Sequence, residues 1–141
     1  MKRIFDAQLL KTMSLFESIT HARVMDSFED EHTKLMTFIV EPGNIRKALG
    51  PDAKNAKMLE QKLGKRIKIV EYSSDICVFV KNMVKPNNVD KVEVNEDKIV
   101  TISSSDTNTK GLIIGRNAAN LRNLENNIKR HFPDLKEIKV V

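Results

Sequence analysis

Cysteine occurs once, at Cys77, tryptophan does not occur, and aromatic residues make up only 5% of the chain. A lone cysteine excludes an internal disulfide framework and any cysteine-cluster metal site. No apolar run approaches the roughly 18 residues that a membrane-spanning helix needs. The opening stretch, Met1-Lys2-Arg3-Ile4-Phe5-Asp6, meets an acid and then Lys11 before a signal-peptide core could form. The expectation is a soluble cytoplasmic protein without membrane association. Catalytic signatures are missing as well: there is no Walker loop, no G-x-S-x-G and no H-E-x-x-H. His21, His32 and His131 have no histidine one helical turn away and no cysteine or paired carboxylate at ligand spacing. No metal, no cofactor and no catalytic residue are therefore expected.

What is present is enough for a modest core. Of 141 residues, 40% are hydrophobic and 30% charged, which excludes a wholly disordered chain. The net charge is +5, and it is spread evenly: 13 basic against 10 acidic residues up to Ser73, then 11 against 9. That mild excess is compatible with nucleic-acid binding without demanding it.

An internal repeat organises the sequence. Shifting by 65 positions brings Gly50 onto Gly115, Ala53 onto Ala118, Asn55 onto Asn120, Leu59 onto Leu124 and Glu60 onto Glu125. Apolar residues recur at Ala53, Ala56, Leu59 and Leu63 and again at Ala118, Leu121, Leu124 and Ile128, one buried helical stripe in the same phase twice. β-Type runs precede each glycine at 22–26 and 35–40, then at 91–94 and 98–103, and one follows each helix, at 66–70 and 136–140. Leading helices are expected over 7–18, with Leu9, Leu10, Met13 and Phe16 inward, and over 75–84, with Ile76, Phe79, Val80 and Met83 inward. Short helices are expected at 45–49 and 109–114, the second capped by a polar surface loop over 103–109. Cys77 is expected to be a buried structural thiol, Glu29-Asp30-Glu31 a solvated hairpin, and Met13, Met25, Met36, Met58 and Met83 packing residues. The reading is an α+β chain of two α-β-β-α-α-β units, 1–73 and 74–141, with no linker at Ser73-Ser74.

This order, two helices joined by a tight glycine loop and followed by a returning strand, is the core of a KH domain, and the added leading helix and strand resemble its type II form. Particular segments sharpen the likeness: Leu15-Phe16-Glu17-Ser18-Ile19-Thr20 with Ala22-Arg23-Val24, Leu63-Gly64-Lys65 with Val70-Glu71-Tyr72-Ser73, Phe79-Val80-Lys81-Asn82-Met83, and Lys129-Arg130-His131-Phe132. Over nearly its whole length the chain resembles the archaeal NusA-like transcription factors, which carry tandem KH domains. The resemblance implies a single-stranded RNA-binding factor of elongation or termination, with RNA polymerase as a further partner. The polymerase-binding N-terminal domain of bacterial relatives has no counterpart here, so a polymerase contact is expected from the KH body. Each unit is small enough to be marginal alone. Docking of the second leading helix on the first unit, through Phe79 and Met83, into one extended body is expected.

The family pattern, Ile-Gly-Lys-x-Gly-x-Asn, clamps a nucleic-acid backbone against small residues and helix N–H groups. Here both loops end in alanine, as Gly50-Pro51-Asp52-Ala53 and Gly115-Arg116-Asn117-Ala118. Alanine retains its N–H, tightens the approach by one methyl and is expected to favour the following helix over glycine by ~1 kcal/mol. Pro51 has no N–H and Asp52 brings negative charge to the phosphate position, so the first loop is expected to be the weaker. Arg116 can meet a phosphate and Asn117 a base or sugar. The expected RNA-contacting set is Gly50, Ala53, Lys54, Asn55 and Lys57 in the first unit and Gly115, Arg116, Asn117, Ala118, Asn120 and Arg122 in the second. The competing reading is a scaffold that has lost RNA binding and docks polymerase or a ribosomal protein, motivated by the two alanines and Asp52.

Overall fold

The computed structural model describes residues 7–31 and 33–141; His32 and the first six residues lie outside the described set. The chain divides into two compact units, one ending at Ser73 and one running from Ser74 to Val141. The first contains α1 (Ala7–Thr20), β1 (Val24–Glu29), β2 (Met36–Val40), α2 (Ile45–Leu49), α3 (Lys54–Leu63) and β3 (Ile67–Glu71). The second contains α4 (Ile76–Val84), β4 (Lys91–Val94), β5 (Ile99–Ser103), α5 (Thr107–Ile114), α6 (Ala119–Lys129) and β6 (Glu137–Val140). This is a mixed α+β chain with two three-stranded sheets, consistent with two KH-like domains.

The sheets share one topology. β2 lies between β1, to which it is antiparallel, and β3, to which it is parallel; β5 stands in the same way between β4 and β6. A parallel return cannot be made by a tight turn and needs a crossover, and in each unit the helix pair with its glycine loop is that crossover. The loop is therefore tied at both ends to the sheet. All five residues of β2 are buried, whereas β5 alternates, burying Val100 and Ile102. In the first unit the rings of Phe16 and Phe38 stack with centroids 4.4 Å apart, packed with Ala22, Met36, Val40, Ala48 and Leu59. In the second, Phe79 is fully buried, edge-on to His131 and beside Phe132.

Four local expectations need correction. Leu10 is 52% exposed; at 3.6 residues per turn it stands roughly a third of a turn from Phe16, off the stripe formed by Leu9, Met13 and Phe16. β1 runs from Val24 to Glu29, not over 22–26, because it continues past a bulge near Met25 to pair Glu29 with Met36; its charged end obscured the strand. Cys77 is half-buried. It follows the Asp75 cap in the first turn of α4, ahead of the buried Phe79–Val80 pair, and partial burial with the Asp75 carboxylate beside it pushes the thiol pKa up. The polar stretch before α5 acts as expected, but the helix starts at Thr107, two residues early. Asp106 caps it by accepting from the Asn108 N–H at 3.1 Å and the Thr109 hydroxyl at 2.8 Å.

The repeated glutamates close each unit. The Ile67 N–H donates to Glu60 Oε2 at 3.2 Å, and the Ile138 N–H to Glu125 Oε2 at 2.8 Å, so the long helix holds the returning strand in both copies. Glu125 is buried and Glu60 half-buried. Replacing Glu125 by Ala leaves a buried N–H without its acceptor and is expected to cost about 1–3 kcal/mol. Glu60→Ala should cost less; urea titrations showing equal losses, or none for Glu125→Ala, would contradict this role.

Candidate nucleic-acid interface

In each unit the short helix stops at a glycine in a conformation closed to other residues: Gly50 at φ 72°, ψ 175° and Gly115 at φ 72°, ψ 176°. A one-turn 3₁₀ segment follows, Pro51–Ala53 or Arg116–Ala118, and its last two residues are left-handed. Asp52 and Ala53 have φ of 53° and 57°; Asn117 and Ala118 have 54° and 60°. The Ala53 and Ala118 N–H groups each donate to the glycine carbonyl three residues back at 3.2 Å. Two loops that share only their terminal residue types thus have one backbone shape.

Asn55 and Asn120 hold that shape. The Asn55 amide donates to the Lys47 carbonyl and the Asn120 amide to the Leu112 carbonyl, each at 3.0 Å, filling an acceptor in the last turn of the short helix. Each amide lies over the preceding glycine. A Cβ on Gly50 would come within 2.9 Å of the Asn55 side chain, and one on Gly115 within 2.6 Å of Asn120. Glycine and asparagine are two parts of one lock, and among the expected RNA contacts both asparagines have their amides turned into the protein's own frame.

The alanines carry the opposite energetic sign from that expected. Ala53 and Ala118 are the left-handed N-cap residues of α3 and α6, not residues inside those helices. In that conformation an L side chain costs roughly 1–2 kcal/mol, so alanine strains the loop where glycine would not. Asp52 and Asn117 bear the same conformation more easily, since Asp and Asn are among the residues that tolerate it.

Chemistry separates the two loops. Pro51, Asp52, Arg116 and Asn117 are all exposed. The first loop offers a carboxylate and lacks one N–H; the second offers a guanidinium and an amide. Beside the first loop runs a shallow groove of about 540 Å³ lined by Arg46, Lys47, Leu49, Gly50, Pro51 and Asn55. Lys54 and Lys57 are exposed on the adjoining face of α3. Arg122 is exposed, but its guanidinium lies 3.5 Å from Glu125 Oε1. Arg46, Lys47 and the 63%-exposed Leu112 were not anticipated as site residues. Among the described residues no group of three or more His, Cys, Asp or Glu side chains converges as a metal site, and no helix is long and apolar enough to cross a membrane.

No protein-family model matches the chain. It is 33% identical over 131 residues to the probable transcription termination protein NusA of Methanococcus vannielii, a match covering 92% of this chain and 74% of that one. The chain belongs to the archaeal NusA-like family. The same-named protein of Methanocaldococcus jannaschii is 28% identical over 141 residues, covering 99% and 75% of the two chains. A solved structure titled "Crystal structure of APE1850" matches with TM-score 0.71 and 28% identity, over 94% of this chain and 96% of that one.

Against the NusA-like loop pattern, this chain keeps the glycine and the asparagine of the lock in both units; the second glycine is replaced by Ala53 and Ala118, and the lysine by Pro51 in the first loop and Arg116 in the second. Ala118→Gly is expected to stabilise the protein by up to about 1 kcal/mol through relief of the left-handed strain. Gly115→Ala should destabilise it by roughly 2 kcal/mol or more, since it adds both strain and a clash with Asn120. Thermal or urea unfolding of the two variants decides; destabilisation by Ala118→Gly would contradict the account.

Proposed function

We propose that this NusA-like protein is a transcription factor of elongation or termination that binds single-stranded RNA. RNA lies against its glycine loops, and the second loop makes the stronger backbone contact. The observation that carries the reading is the second loop itself: a glycine-pinched turn displaying exposed Arg116 and Asn117 beside the start of α6. Arg116 supplies the charge-assisted contact to a phosphate. The family name, probable transcription termination protein, is that of a transcription factor and not of an enzyme, and supports the same reading. The type II assignment of each unit, the 1–73 and 74–141 boundaries and mutual docking into one body belong to this proposal, as do a cytoplasmic location and RNA polymerase as a second partner.

The test is a titration of a short single-stranded RNA at several salt concentrations with wild type, Arg116→Glu and Asp52→Lys. Charge reversal at Arg116 should weaken binding severalfold, and removing the Asp52 carboxylate in favour of a cation should tighten it. If neither substitution changes affinity, the loops are structural elements and the partner is a protein, polymerase or ribosomal.

A further inference from the structure

The two units place their cations differently around the same backbone frame. In the first, Arg46, Lys47, Lys54 and Lys57 flank the loop; all four are exposed, and among the described residues none forms an ion pair. The positions 65 residues on are Gly111, Leu112, Ala119 and Arg122, and Arg122 is drawn to Glu125. The loops show the reverse: Pro51 and Asp52 in the first, Arg116 and Asn117 in the second. Where the first unit has Lys47 on the groove, the second has Leu112, 63% exposed beside its loop.

We propose that the units divide the recognition of single-stranded RNA: the first grips the phosphate backbone without regard to sequence, and the second discriminates between bases. This rests on the RNA-binding reading above. The first unit cannot rely on its loop for an anion, because Pro51 withholds an N–H and Asp52 repels. Its four exposed cations on α2 and α3 can follow a phosphate chain through long side chains, which carries affinity and salt dependence but no sequence information. Beside the phosphate-contacting Arg116, the second unit presents an amide able to donate and accept and an apolar side chain that can meet the edge of a base. Those are groups that distinguish bases. Leu112 lies one turn before Gly115, and its carbonyl holds the Asn120 amide, so its position is fixed by the same lock that shapes the loop.

The division predicts separable readouts. Wild type is titrated against oligo(A), oligo(C) and oligo(U) over a range of salt, together with two variants of the full chain, each checked for fold by circular dichroism. Changing Arg46→Gln, Lys47→Gln, Lys54→Gln and Lys57→Gln together should lower the magnitude of the log–log salt slope by roughly two to three, at about 0.7 per phosphate contact. The ratios of affinity among the three RNAs should stay unchanged. Leu112→Lys should raise the slope magnitude by less than one and flatten those ratios toward unity. The proposal is overturned if the fourfold variant keeps the wild-type slope or alters base preference, if Leu112→Lys leaves the ratios intact, or if wild type shows no preference. In each of those cases binding that still depends on Arg116 leaves the RNA reading standing. Failure of wild type to bind any of the three overturns that reading itself.

Discussion

The contact on which both units depend is the one between a glycine and the asparagine five residues later. Each short helix must end abruptly, reverse through three residues and start a long helix that returns the chain parallel to the central strand. Such a reversal demands a backbone conformation that only glycine adopts easily, and it strands carbonyls at the end of the short helix. The asparagine amide takes up one of those carbonyls, at 3.0 Å in both units, while occupying the space that a glycine Cβ would need. Neither residue works without the other. The shared loop shape follows from this pair.

Because the frame is fixed by the glycine and the asparagine, the position after the glycine is free to differ, and the next one can differ among residues that bear the left-handed conformation. One copy uses Pro51 and Asp52, the other Arg116 and Asn117, with φ values at the second position differing by one degree. A scaffold that tolerates such changes without altering its backbone lets two copies of one module take on different electrostatic roles. The glutamates that clasp the returning strands extend the same logic: Glu60 and Glu125 are repeated because the strand needs them.

Much of this was legible from periodicity. The 65-residue shift and the apolar stripes located the helices, and β4 and the short helix α2 fall on the residues that their patterns indicated. What escaped were features without an apolar signature. β1 hides its second half in Phe28-Glu29, where pairing with β2 outweighs the charge. Ala53 and Ala118 read as helix formers because helix propensity assumes a right-handed residue, and their position in the turn reverses the sign. Asn55 and Asn120 looked like polar contacts for a ligand. Their identity at equivalent places in both repeats, when the loop residues between differ, was the clue to a structural task. The flanking cations Arg46 and Lys47 lie ahead of the glycine motif, which carries no signal for them.

The most direct test of the central claim, that a rigid shared frame presents different chemistry in the two units, is an amide-resolved NMR titration of the whole protein with a short single-stranded RNA. The account predicts the largest shifts at Gly115 to Ala119, smaller ones along α2 and α3 near Lys47, Lys54 and Lys57, and unmoved side-chain amide signals for Asn55 and Asn120, whose hydrogen bonds stay closed. Loss or large displacement of those two asparagine signals on binding, or shifts confined to the sheets, would contradict it.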